Sequence, residues 1–225
     1  MDKRLLAIDY YLAKKYKESY NLFKSIGDGE STYYLGMQYL YGQGVKQSDD
    51  KAFSMFKKSW EALYPDGIYM YGYCYEQGIG IEANFEQAFK LYQAARDSVY
   101  AKIRLAKLYE QGIHVAKDLM KAIKLYNECQ KLGNGYAMYK IGRFYLTGEG
   151  LKQDLTSGYQ WLQKALAKNE ILAINYFRMI GSKVSTDVRT TEDIFQQAKS
   201  AIEQELKEEA LSYLEVCIKE QSIDA

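Results

Sequence analysis

The chain has 225 residues, 48% of them hydrophobic, with 30 Lys and Arg against 29 Asp and Glu, and 23 tyrosines against a single proline, Pro65. A net charge of +1 excludes the basic field that draws a protein to nucleic acid or anionic lipid. No apolar run approaches the ~20 residues of a membrane-spanning helix, and Asp9 interrupts the first apolar run too soon for a signal peptide.

Residues 1–30 read as a short helix pair, with Leu6, Ala7, Tyr10 and Tyr11, then Tyr16, Ser19, Tyr20, Phe23 and Ile26, at helical spacing. Gly27-Asp28-Gly29 closes the second helix, since glycine accepts a left-handed cap without steric penalty. From residue 31 one phrase is written four times. Leu35-Gly36-Met37-Gln38-Tyr39-Leu40-Tyr41-Gly42-Gln43-Gly44 returns at 71–80, 105–114 and 141–150, and its tyrosine recurs at 39, 75, 109 and 145. Spacings of 36, 34 and 36 residues predict stacked helix pairs.

Each first helix carries a small residue, Gly36, Gly72, Ala106 or Gly142, that lets the second helix approach closely. The tyrosine three residues on is expected to fill the space beside it. Glycines then stop the helix, and Ser48, Asn84, Asp118 and Asp154 are placed to cap the second one, Asn84 with Gln87 as a capping-box-like pair. Ala52, Ala88, Ala122 and Gly158 follow where helices cross, and four residues later come Phe56, Tyr92, Tyr126 and Leu162. The repeats so defined are 31–66, 67–99, 100–135 and 136–170. Residues 171–225 read as a degenerate repeat and a capping helix, with Ile194, Ala198, Ile202, Leu206, Ala210, Leu214 and Cys217 along one stripe.

The unit Leu-Gly-x-x-Tyr-x-x-Gly-x-Gly-Val, followed by a capped Lys-Ala-x-x-x-Phe helix, resembles the Sel1-like repeat family. These are relatives of the tetratricopeptide repeats with a longer, glycine-rich loop between the helices. The resemblance covers 31–170, while residues 1–30 look more like a plain tetratricopeptide pair. It implies an all-α, right-handed superhelical solenoid of antiparallel helix pairs with a C-terminal capping helix. Ala106 and His114 stand where the family has glycine, and Gly158 where it has alanine. Cys74 faces Ala95, not a second cysteine, which separates the chain from the branch whose repeats are stapled by disulfides.

Little here supports catalysis. His114 is the only histidine, so neither a histidine zinc site nor a Ser-His-Asp arrangement can be assembled. Gly42-Gln43-Gly44 and Gly148-Glu149-Gly150 follow helices and recur, unlike a phosphate loop set between a strand and a helix. Asp49-Asp50 and Glu203, Glu205, Glu208 and Glu209 read as solvated helix ends and faces. Cys74, Cys129 and Cys217 occupy small or apolar helix positions, where cysteine acts as a small hydrophobe. Three cysteines without an export signal suggest free thiols in a cytoplasmic protein. The expectation is no enzyme, no cofactor and no metal.

Tyr39, Tyr75, Tyr109 and Tyr145 are expected in the core. The similarity to tetratricopeptide arrays implies that positions three before, one after and five after the small residue face a concave groove. These are Tyr33, Met37 and Tyr41; Tyr69, Tyr73 and Gln77; Ile103, Lys107 and Gln111; and Tyr139, Arg143 and Thr147. Aromatic and Arg residues concentrate binding energy and Met adds adaptability, although tyrosine also packs well between helices. The function expected is an interaction scaffold or adaptor, monomeric alone, that holds another protein or peptide in this groove. One alternative is an immunity-type inhibitor that neutralises an enzyme or toxin by binding it. Another is a glycan- or peptidoglycan-binding module with rings stacked on sugars, which requires an exported protein.

Overall fold

A computed structural model describes residues 2–176. These form α1 (Lys3–Leu12), α2 (Tyr16–Ile26), α3 (Gly29–Tyr41), α4 (Asp49–Glu61), α5 (Pro65–Gln77), α6 (Phe85–Ala94), α7 (Val99–Gln111), α8 (Leu119–Lys131), α9 (Gly135–Thr147) and α10 (Leu155–Leu166). Residues 171–176 are helical as well, and the described residues contain no strand. The expected capping stripe from Ile194 to Cys217 lies outside the described residues. The fold is all-α and of the repeat-solenoid class. It divides into two compact units, Met1–Asp118 and Leu119–Ala225.

In the first unit, Ala7, Phe23 and Leu35 join α1, α2 and α3 in one core. A larger core runs from α3 to α7 through Phe56, Ile68, Tyr71, Cys74, Leu91 and Ala101. In the second unit Met138, Tyr139, Leu146, Tyr159, Leu162, Ala173 and Tyr176 form the core around α9 and α10.

The small-residue column does what its position requires, with a different filler from the one expected. A Cβ on Gly36 would stand 2.5 Å from Cε1 of Phe56, and one on Gly72 would stand 3.0 Å from Cε1 of Tyr92. A Cβ on Gly142 would lie 3.1 Å from Leu162. The space beside each glycine is therefore taken by the large residue of the second helix, which packs closely on bare backbone.

Three of the four signature tyrosines turn the other way, toward the preceding helix. Tyr39 meets Tyr20 edge-on at 6.0 Å, Tyr75 meets Phe53 at 5.7 Å, and Tyr109 meets Phe89 at 6.1 Å. All four are half-buried, and Tyr39, Tyr75 and Tyr109 join one helix pair to the next. Their carbonyls have a second role. Each accepts the backbone N–H of the residue that opens the following helix: Ser48 at 3.0 Å, Asn84 at 2.8 Å, Asp118 at 2.8 Å and Asp154 at 2.9 Å. This bond closes the inter-helix loop in all four repeats. The side chains of Ser48, Asn84 and Asp154 in turn accept from Lys51, Gln87 and Ser157 backbone N–H groups. Asn84 thus caps its helix, but its own N–H goes to Tyr75, the bond that Gln87 would make in a complete capping box.

The last glycine of each loop sits on the start of the preceding second helix in a left-handed conformation. A Cβ on Gly44 would meet Tyr16 at 2.8 Å, and one on Gly80 would meet the Asp49 carbonyl oxygen at 2.6 Å. His114 takes this place in the third repeat with φ of 57°. Its ring stacks on Phe85, the first residue of α6, at 4.1 Å between centroids.

Candidate partner-binding face

The face is built by the first helices of successive repeats. Within the first unit α3 packs beside α5, and α5 beside α7, so residues one turn apart form columns across three helices. Tyr33 is half-buried, with Tyr34, Tyr64 and Phe56 around it at 5.2, 5.6 and 6.3 Å. On α5, Tyr69 touches Tyr92 at 5.6 Å and Tyr73 at 6.3 Å, and stacks on Tyr100 of α7 at 5.8 Å. Tyr41 and Tyr100 keep 59% and 57% of their surface in solvent. Met37, Tyr73, Ile103 and Lys107 are half-buried, while Gln77 and Gln111 are exposed. The first unit therefore presents two groups of touching rings, Tyr33 with Tyr34 and Tyr64, and Tyr69 with Tyr73 and Tyr100, with Gln77 and Gln111 at the C-terminal ends of α5 and α7.

Tyr139 departs from the expectation for its column. It is only 5% exposed and belongs to the core with Tyr159, Leu162, Ala173 and Tyr176. The helical stretch that follows the fourth repeat closes over it, so its ring offers no surface. Arg143 is half-buried, its guanidinium 5.9 Å from the centre of the Tyr139 ring. Its Nε is buried with no hydrogen-bond partner among the described residues. The Thr147 hydroxyl donates to the Arg143 carbonyl at 3.0 Å and accepts from the Glu149 N–H.

Two features of this face lie outside the columns chosen from the sequence. One is an ion pair across α5 and α7: Arg104 donates to both carboxylate oxygens of Glu76, from Nε at 3.0 Å and from a terminal nitrogen. The Tyr92 hydroxyl donates to the same carboxylate at 2.6 Å. The other is a further column, six residues before the small residue, that holds Glu30, Asp66 and Tyr100 on the first turns of α3, α5 and α7. Extending the groove columns by one helical turn would have found it. Tyr64, which opens α5, has no equivalent signal; its hydroxyl donates to Glu30 at 3.3 Å.

Burial holds the phenol of Tyr69 up to about 12, although nearby Arg104 pulls it down. The phenols of Tyr33 and Tyr64 are pushed up by burial first and then by the carboxylates of Asp66 and Glu30. Burial, with Asp49 nearby, raises the Cys74 thiol to about 12, which leaves it a poor nucleophile. Among the described residues no group of three His, Cys, Asp or Glu is placed to hold a metal ion. No described helix is long and apolar enough to cross a membrane.

The Sel1 repeat family model matches residues 29–61, 65–98, 99–128 and 135–170, together more than half of the chain. Among solved structures, the chain is similar to a Sel1 repeat protein from Oxalobacter formigenes, with 24% identity and a TM-score of 0.73 over 88% of this chain and 83% of that one. A protective antigen of uropathogenic Escherichia coli with an SLR fold is 18% identical, with a TM-score of 0.67; 90% of this chain matches 45% of it. The immunity protein Pa5087 from Pseudomonas aeruginosa is 17% identical, with a TM-score of 0.58 over 91% of this chain and 83% of its own.

Proposed function

Because the chain belongs to the Sel1 repeat family, we propose that it is a non-catalytic scaffold that holds another protein or peptide on the inner face of its first helices. The observation that carries this reading is the pair of ring groups on these helices, Tyr33 with Tyr34 and Tyr64, and Tyr69 with Tyr73 and Tyr100, with Tyr41 and Tyr100 more than half exposed. Partly exposed rings set in a rigid framework lose little side-chain entropy on binding, and such residues dominate interface energetics. The face comprises Tyr33, Met37, Tyr41, Tyr69, Tyr73, Gln77, Ile103, Lys107 and Gln111 in the first unit; Arg143 is its counterpart in the second. Cys74 and Cys129 are buried and outside any disulfide among the described residues, which fits a reducing compartment, and we place the protein in the cytoplasm.

The immunity protein from Pseudomonas aeruginosa, which shares the fold over 91% of this chain, favours a narrower version of the same reading. On that version the partner is an enzyme or toxin that the chain inhibits by occupying it. The test is affinity capture from the source organism's lysate with the wild-type chain and a Tyr41→Ala/Tyr73→Ala variant whose circular dichroism is unchanged. The proposal expects a partner retained by the wild type and lost by the variant. Equal capture by both would remove this face from consideration, and assay of the partner with and without the chain decides between assembly and inhibition.

A further inference from the structure

Resting on the binding-face reading, we infer that Arg143 is the anchor for a carboxylate side chain of the partner, carried on an acidic segment that lies along α9. Arg104 and Arg143 are the two half-buried arginines among the described residues. Arg104 has the carboxylate of Glu76. Arg143 is in no ion pair among the described residues; it has the ring of Tyr139, 5.9 Å from its guanidinium, and its Nε is buried with no hydrogen-bond partner. A cation drawn out of water without an acceptor is costly, and a ring face offsets only part of that cost.

The elements around Arg143 supply no acid to meet it. One turn away on α9 stand Tyr139, Lys140, Leu146 and Thr147, and α9, α10 and residues 171–176 contain no Asp or Glu. Asp154 and Glu170 open the helices that follow them, where they accept the backbone N–H groups of Ser157 and Leu172. Between residues 119 and 176 there are eight Lys and Arg against four Asp and Glu, so this stretch attracts an acidic segment and repels a basic one. Tyr139 is fixed in the core with Leu162, Ala173 and Tyr176, and the guanidinium held over it is oriented before a partner arrives. Nε is the buried end, which leaves the terminal nitrogens as the edge a ligand can reach. A carboxylate matches that edge with two parallel hydrogen bonds. Because the charge is delocalised over all three nitrogens, the same contact offsets the cost of the buried Nε. A phosphate dianion would call for a second cation, and Lys140 is drawn over the Tyr136 ring, 5.8 Å from its centre.

The probe is a short, labelled Gly/Ser peptide carrying glutamates, compared by fluorescence anisotropy with the same peptide carrying arginines. The glutamate peptide is expected to bind saturably and more weakly as salt is added, and the arginine peptide not to bind. Arg143→Met should weaken glutamate binding about tenfold, and Arg143→Lys, which keeps the charge and loses the fork, about threefold. Neither change should lower the thermal melt, since removing an unpaired charge strands no partner. A second readout uses the wild-type chain alone: the Arg143 Nε–H resonance, identified by its loss in Arg143→Lys, should shift as the glutamate peptide is added. Equal binding of the two peptides, affinity unchanged in Arg143→Met, or a resonance that does not move would overturn the anchor. If the glutamate peptide fails while partner capture still depends on Tyr41 and Tyr73, the carboxylate assignment falls and the binding face stands. If capture is also independent of those tyrosines, both fall.

Discussion

Arg104 of α7 grips Glu76 of α5 with two nitrogens while the Tyr92 hydroxyl of α6 bonds the same carboxylate. The Glu76 side chain is only 8% exposed and that of Arg104 31%, so the pair ties three helices together at a desolvated point beneath the ring face. Removing one partner strands a buried charge. Arg104→Ala should therefore lower stability by about 3 kcal/mol in urea denaturation. The triple change Glu76→Leu/Tyr92→Phe/Arg104→Met removes every polar member and should recover most of the loss. Near-additive losses in the triple variant would show that the group does not act as a unit.

Gly36 is fixed by Phe56. An added methyl would stand 2.5 Å from the ring, and the ring cannot retreat because it is fully buried. Gly36→Ala is expected to destabilise by about 2 kcal/mol. Phe56→Leu in the same chain should restore part of it, because Leu162 already packs on Gly142 in the fourth repeat. Thermal melts of the single and double variants check this; a double variant worse than both singles would contradict it.

His114 combines left-handed backbone with a stack on Phe85. His114→Ala keeps the backbone penalty and loses the stack, and should lower stability by about 1 kcal/mol. His114→Gly loses the stack but relieves the backbone, and should stay within about 0.5 kcal/mol of wild type. Gly80→Ala in the preceding repeat should be worse than either, since its Cβ would stand 2.6 Å from a carbonyl oxygen. Denaturation midpoints of the three variants rank these effects.

Alkaline pH should weaken the fold. The phenols of Tyr11 and Tyr69 are raised to about 12, mainly by burial, whereas in an unfolded chain they titrate near ~10. Below that value both states are protonated and stability is unaffected. As pH rises from about 10 to 12, the unfolded state gives up protons that the folded state keeps, so stability falls. Urea midpoints should be flat at neutral pH and drop across this window, together with a rise in tyrosinate absorbance on unfolding. A midpoint that rises there would contradict the assignment.

The helix pairs were legible because every repeat states the same constraints at the same spacing: the small residue, the glycine stop and the capping Ser, Asn or Asp. A column shared by four repeats reports on packing that all four share. It does not report direction, which is why the filler beside Gly36 is Phe56 and the signature Tyr39 turns to Tyr20. Contacts made once are invisible to periodicity. Glu76 and Arg104 pair across 28 residues, yet the positions matching Arg104 are Tyr34, Met70 and Lys140. Tyr139 shares a column with Tyr33 and Tyr69 but is buried, in a core to which Ala173 and Tyr176 are added from beyond the last repeat. The acidic first turns at Glu30 and Asp66 were within reach of the same reasoning, one helical turn beyond the columns chosen.

The central claim concerns which face of the first helices meets a partner, and site-specific photocrosslinking in the source organism tests it most directly. A photoreactive phenylalanine replaces Tyr73, on the ring face, or Lys57, exposed on the second helix α4. The account predicts a discrete crosslinked protein from position 73 and none from position 57. Crosslinking to the same protein from both positions, or from position 57 alone, would contradict it.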